Sequence, residues 1–389
     1  MQQGVELGSR RPPVAAIGAW LDRCMAARDR LLASSRFQRW AASFPLTRRI
    51  AERRARALFD LCAGFVYAQV LLACVRLRLF DILLEGPQAL PVLAQRLALS
   101  PEATERLLAA AVSLRLVARR GQGRFGLGPL GAALAGNPAI AAMIEHHPLL
   151  YADLHDPVAL LRGERPATEL GRYWAYAGAE RPADVAAERV AAYTALMAAS
   201  QSFIADDVLE AYPFHRHHCL LDIGGGDGTF LAAVAARAPS LRLVLFDLPP
   251  VAERAFARFA EAGLAGRAQA AGGDFLVDPL PAGADIISLV RVVHDHDDAA
   301  VLTLLRSVHG ALPRHGALIL AEPMAGTPGA EPVGDAYFGF YLLAMGRGRP
   351  RTLEELSRLL RQAGFARVEE VRTRRPLLTR IVLARPTAG

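Results

Sequence analysis

Lysine is missing from this 389-residue chain: all 45 basic positions are Arg. We read that as the coding bias of a GC-rich genome, so it carries no nucleic-acid signal by itself. Cysteine is scarce. Cys24, Cys62, Cys74 and Cys219 form no C-x-x-C pair, which argues against structural zinc and against a secreted, cross-linked scaffold. All four are expected to be reduced packing residues. Charged residues make up only 21% and apolar ones 52%, too little charge and too much greasy material for a disordered chain. The uncharged and mostly apolar stretch Leu61 to Val75 is shorter than the roughly 18–20 residues that cross a bilayer. Residues 1–13 lack the apolar core of a secretory signal. The expectation is a cytoplasmic protein whose length suits two domains, divided at 190/191.

The charge present is unevenly placed. Up to Arg56 the chain carries twelve Arg against Glu6, Asp22, Asp29 and Glu52, whereas the remainder is close to neutral. Trp20, Phe37, Trp40 and Phe44 interleave with those arginines. Such an arm suits packing on its own protein or a twin subunit. It also suits peripheral contact with an anionic inner-membrane surface.

Helical spacing covers residues 14–34 and 47–80, with Pro45 between them. Ser100-Pro101-Glu102 opens another helix, running to about Leu114. Arg119-Arg120-Gly121-Gln122-Gly123 then turns between short strands at 116–118 and 124–127. That outline is a winged helix, a module that often binds DNA, so a ligand-sensing regulator is one rival reading. Here the second helix offers only Arg106 and Arg115 behind Glu102 and Glu105, a poor groove reader, and no nucleic-acid partner is expected. Residues 129–210 read as helical. From about His218, short apolar strands alternate with helices, which implies a parallel sheet covered on both faces.

Leu220-Leu221-Asp222-Ile223-Gly224-Gly225-Gly226-Asp227-Gly228-Thr229-Phe230 runs from strand through glycine-rich turn into helix. Such a turn lets a ligand approach the backbone and offers it free N–H groups. Asp222 is spaced to accept from a cationic amino-acid head. Asp247 ends the next strand, 23 residues beyond Gly224, where a carboxylate can hold two ribose hydroxyls. After the third strand come Gly273-Asp274-Phe275, with Asp274 for an adenine amino group and Phe275 as a ring beside it.

This order resembles class I methyltransferases that use S-adenosylmethionine. Arg291-Val292-Val293-His294-Asp295-His296-Asp297-Asp298 narrows it, resembling the His-Asp-Trp-x-Asp signature of the small-molecule O-methyltransferases of the caffeate and acetylserotonin type. The resemblance implies an α/β fold with a Rossmann-like seven-stranded sheet, preceded by a helical and winged-helix dimerisation region. It implies His294 as general base and Glu322 as the acid that orients it. It further implies Gly224, Gly226 and Arg291 at the cofactor, a homodimer and no metal. His296 stands where the family has Trp, and is read as structural. The family's second acid falls at Pro350, before Arg351-Thr352, so the base has one acid fewer. Met197 matches a substrate-contacting Met, with Gln201 where a Ser is usual.

The segments from Phe37 to Gln69 and from Tyr341 to Pro350 are similar to carotenoid O-methyltransferases of phototrophic bacteria. These act on the tertiary hydroxyl of hydroxyneurosporene or demethylspheroidene. That resemblance implies an apolar, carotenoid substrate and adds Tyr341 and Met345 as substrate contacts. The stretch 338–345 is apolar on every face, as a cap over such a substrate or a buried core helix would be. Methylation of a bacteriochlorophyll-type ring carbon, or of a polyketide, is the enzymatic alternative.

Overall fold

The computed structural model describes residues 14–165, 167–174, 196–198, 201, 204–374, 376 and 379–387. The expected domain boundary at 190/191, and most of the second half of the stretch read as helical, lie outside them. The front half opens with α1 (Val14–Ala33), α2 (Ser35–Ser43) and α3 (Pro45–Arg76). Pro45 therefore starts a helix rather than merely interrupting one, because its missing N–H costs nothing in a first turn. Two expectations need correction here. Cys24 and Cys62 are exposed and only Cys74 and Cys219 are buried, since the arm has little core to offer. And α3 is long and apolar enough to cross a membrane by length and composition, although only 11% of its apolar window is buried. A membrane-length helix tolerates a charge or two near the ends of its apolar part, here Asp60 and Arg76.

After α4 (Leu79–Leu84) the winged module forms much as the sequence suggests. It comprises β1 (Gln88–Ala89), α5 (Leu90–Leu97), α6 (Pro101–Ser113), β2 (Val117–Arg119) and β3 (Arg124–Leu127). The Ser100 hydroxyl accepts from the Ala103 N–H at 3.1 Å, capping α6. β1 adds a third strand, in the order β1-β3-β2. Leu79, Phe80, Leu93, Leu108 and Phe125 form its core. The chain continues through α7 (Pro129–Ala135), α8 (Pro138–Asp153), α9 (Pro157–Leu161) and α10 (Glu169–Tyr173).

The second half is one sheet. β4 (Cys219–Ile223), β5 (Arg242–Asp247), β6 (Ala268–Gly272), β7 (Ile286–Val290), β8 (Ala317–Glu322), β9 (Arg367–Val371) and β10 (Arg380–Arg385) lie in the order β6-β5-β4-β7-β8-β10-β9. Among these seven strands β10 alone runs against the common direction, antiparallel to both β8 and β9, and the other pairings are parallel. β4, β7 and β8 are buried throughout, which is why they read as apolar runs broken only by Asp222, Ser288 and Glu322. Alternate side chains enter opposite cores. Leu220, Ile286 and Ile319 meet α11 (Thr229–Arg237) and α12 (Pro249–Glu261) on one face. Leu221, Ile287 and Leu320 meet α13 (Asp298–Ala311) and α15 (Leu353–Gln362) on the other. Each such burial stabilises the fold by about 1.5–3 kcal/mol. That rigid sheet fixes the strand ends from which the candidate site is built.

Between β8 and α15 lies α14 (Gly339–Met345), which joins the two halves. His146 pairs with Tyr341 and His147 with Tyr337, each at 2.9 Å, and the Thr168 hydroxyl donates to Ala344 O at 2.6 Å.

Candidate active site

The turn after β4 is held from three sides. Gly224 has φ of 68°, and a Cβ there would stand 2.7 Å from Val292 Cγ2, so only glycine lets the turn lie against the loop that carries His294. The Gly226 N–H donates to Asp247 Oδ2 (2.8 Å) and the Leu248 N–H to Oδ1 (2.7 Å), tying the tip of β5 to the turn. Asp227 accepts from the N–H and hydroxyl of Thr229 (3.1 and 2.6 Å) and pairs with Arg258. A cleft opens above. Gly224, Gly226, Asp247, Asp274, Phe275, Met197 and Arg291 all line it, so these predicted residues converge.

Asp222 sits differently, almost fully buried beneath the turn rather than in the cleft wall. Its Oδ1 accepts the Ser288 hydroxyl at 2.6 Å, and its Oδ2 has no hydrogen-bond partner among the described residues. Burial pushes its carboxyl up to about 7, with the Asp247 charge adding to the rise against the Ser288 bond. Burial likewise raises Asp247 to about 6, against the two backbone N–H bonds. Two enclosed carboxylates this reluctant to ionise suit a ligand that brings positive charge and hydroxyl donors.

Glu322 ends β8 and organises the neighbouring loop. Its Oε1 accepts from the Val292 and Val293 N–H groups (3.0 and 2.7 Å), while Oε2 accepts from His294 Nδ1. The ring orientation and tautomer are thereby set. On the far edge Asp295 Oδ1 lies 3.1 Å from Nε2. Burial opposes protonation of His294, yet the Asp295 and Glu322 charges outweigh it and hold the imidazole above its ordinary value. Burial, with the Glu322 charge, raises Asp295 to about 6. Asp295 and His294 thus compete for one proton. Burial lowers His296 to about 4; although read as structural from the sequence, it lines the cleft, where its ring meets Phe275 edge-on at 5.3 Å.

At the expected second-acid slot the structure has a clamp. Arg351 is 2% exposed. Its guanidinium donates to Val293 O (2.8 Å) and His296 O (2.6 Å) and pairs with Asp298 at 2.7 Å. The Arg349 N–H donates to His294 O at 2.9 Å. Gly348, with φ of 75°, packs so closely that a Cβ would fall 2.1 Å from that same oxygen. The carboxylate beside the imidazole's second nitrogen is Asp295, from within the motif.

Tyr341 and Met345, expected to touch substrate, lie instead in a core with Leu150, Leu160, Leu170 and Trp174, and are absent from the cleft wall. Most of α14 is therefore a buried core helix, and the Phe338 ring stands edge-on to His294 at 6.1 Å. Met197 Sδ accepts from Arg291 at 3.1 Å. Asp295 and Arg351 are the contributors that sequence reasoning missed. Asp295 stood in the signature as a mere neighbour. Nothing in the pattern marked Arg351 as buried.

Comparison with known proteins places these features. An O-methyltransferase domain model matches residues 151–366 and an O-methyltransferase dimerisation domain model matches 59–137. Demethylspheroidene O-methyltransferase of Cereibacter sphaeroides is 44% identical over 379 residues, covering 97% of this chain and 98% of that protein. Acetylserotonin O-methyltransferase of Mus musculus is 35% identical over 84% of this chain and 87% of its own. Human N-acetylserotonin methyltransferase, solved with S-adenosylmethionine, superposes with a TM-score of 0.70 at 25% identity, over 86% of this chain and 98% of its own.

Proposed function

Because the chain belongs to the O-methyltransferase family, whose members use S-adenosylmethionine, we propose that it methylates the tertiary hydroxyl of a hydroxylated acyclic carotenoid, of the 1-hydroxyneurosporene or demethylspheroidene kind. What carries this reading is the 44% identity to a demethylspheroidene O-methyltransferase along 97% of the chain. The basic arm agrees with it, since such a substrate dissolves in a bilayer and not in water. The dimerisation match supports a homodimer built on the exposed apolar stripe of α3, in which Leu61 and Phe65 are 81% and 73% exposed.

S-adenosylmethionine supplies a methyl already activated by its sulfonium charge. The chain's own tasks are to hold both reactants and to remove a proton. Asp247 would take the ribose hydroxyls and Asp274 the adenine amino group, with Phe275 beside the base. Asp222, beneath the turn, supplies the negative field for the cationic end. Holding the oxygen in near-attack contact contributes several kcal/mol. His294 is the base: Glu322 keeps Nδ1 as the donor, and Nε2 takes the hydroxyl proton once Asp295 turns from it. A tertiary alcohol is far less acidic than a phenol, so that proton leaves as the bond forms. General-base assistance of this kind is typically about 10²–10⁴-fold.

The test is direct. The enzyme is incubated with methyl-labelled S-adenosylmethionine and a hydroxylated acyclic carotenoid in detergent, and the product is identified by mass spectrometry and NMR. A labelled methyl ether at the tertiary carbon is expected. Label on carbon, or on another class of molecule only, would reject the carotenoid reading.

A further inference from the structure

We propose that α1, α2 and the first part of α3 form a docking surface for an anionic lipid bilayer. Between residues 18 and 56 stand ten arginines and three carboxylates. Among the described residues only Arg28 and Arg48 of that segment pair with a carboxylate. The same helices expose large apolar side chains: Trp20 (61%), Trp40 (50%), Leu46 (80%) and Ile50 (55%). Phe37 and Trp40 on α2 and Phe44, the residue that caps it, follow one another with ring centroids 5.5 and 5.1 Å apart. Arg36 and Arg39 flank them. Aromatic rings beside arginines on a short amphipathic helix are the composition that lies in a headgroup layer, rings inward and guanidinium groups at the phosphates.

A second copy of the chain fits this surface poorly. A two-fold interface sets a patch against itself, so a strongly positive patch would face an equally positive one. From residue 57 to the end of α3 only Asp60 and Arg76 are charged, and there self-pairing meets no such repulsion. The dimerisation match likewise begins at residue 59. The long helix α3 is thus divided between two tasks, its basic front for phosphates and its apolar rear for the twin subunit. The purpose of such docking, collecting a bilayer-dissolved substrate, rests on the carotenoid reading above; the docking itself does not.

Vesicle co-sedimentation of the full-length protein, without substrate, tests this. Binding to phosphatidylglycerol–phosphatidylcholine vesicles is expected, with none to pure phosphatidylcholine, and it should weaken steeply as salt is raised. Combining Arg36→Gln, Arg39→Gln and Trp40→Ala should weaken binding about tenfold or more. The same variant should keep its dimer by analytical ultracentrifugation and its turnover on detergent-solubilised substrate. Equal binding to neutral vesicles, or retention at high salt, would overturn the proposal in favour of apolar insertion. Loss of the dimer in the arm variant would assign the arm to the second copy. Absence of vesicle binding would end it outright, whatever substrate the enzyme proves to use.

Discussion

His294 stands between two carboxylates that do different things to it. Glu322 also holds two backbone N–H groups, so it is fixed; Asp295 belongs to the cleft wall. Replacing His294 by Ala should lower turnover at least tenfold, and the cofactor Kd by calorimetry should stay nearly unchanged. Unaltered turnover would remove the imidazole from the chemistry. Asp295→Asn deletes a charge that favours the imidazolium, so the pKa of His294 should fall. Its neutral, proton-accepting form would then persist to lower pH, and the rising limb of kcat/KM should move to lower pH. A second pH effect concerns the cofactor. With Asp222 raised to about 7 and Asp247 to about 6 in the ligand-free protein, a cationic ligand favours their ionised forms. Binding should therefore release protons, and S-adenosylmethionine affinity should rise from about pH 5 to about pH 8 and then level off. Calorimetry in buffers of different ionisation enthalpy reads both quantities, and a flat pH profile would contradict the assignment.

Among the elements, the loop that bears His294 and the segment that clamps it are the ones to test. The loop is a single helical turn, Val293–Asp295, too short to hold its own shape. Arg291, which precedes it, sits at φ of 59°, a left-handed conformation costing a non-glycine residue about 1–3 kcal/mol. Something must hold that geometry, and Arg351 supplies bonds to carbonyls on both sides of His294. Arg351→Met keeps the buried stem and removes the donors. Leaving those acceptors unmatched costs about 1–3 kcal/mol each, so thermal unfolding should shift down by several degrees. Turnover should drop by about an order of magnitude or more, because misplacing a base by an ångström is that costly. Cofactor affinity should barely change. A variant that is merely less stable, with full turnover when folded, would reduce Arg351 to a structural part.

For the whole molecule, the question is what covers α3. At 32 residues it is about 48 Å long, and its rear half exposes Leu61 and Phe65 to solvent in the single chain. Leu58, Phe59 and Val66 are exposed beside them, and contiguous exposed apolar side chains mark contact surfaces. Introducing Arg at both positions, Leu61→Arg with Phe65→Arg, should convert the dimer to monomer by sedimentation and leave the circular dichroism of the sheet domain intact. A dimer that survives both charges would place the interface elsewhere.

Taken alone, the sequence was enough for whatever depends on local periodicity and spacing. The parallel sheet was legible because strands buried on both faces must be apolar without interruption, as Ile286 to Val290 nearly is. The cap of α6 was legible because Ser100 and Pro101 act within one turn. The cleft residues were legible because a glycine turn and carboxylates at successive strand ends have fixed offsets along the chain. Packing between distant segments decided the remainder. Tyr341 and Met345 look like a pocket wall in one dimension, yet α8 reaches them from 195 residues away and the start of α10 from 176, and together they enclose them. Arg351 and Val293 lie 58 residues apart, and no spacing rule links a guanidinium to the carbonyl it will hold. Only the folded chain, by bringing β8 beside β7, sets Glu322 and the Asp295 carboxylate on opposite edges of the His294 ring.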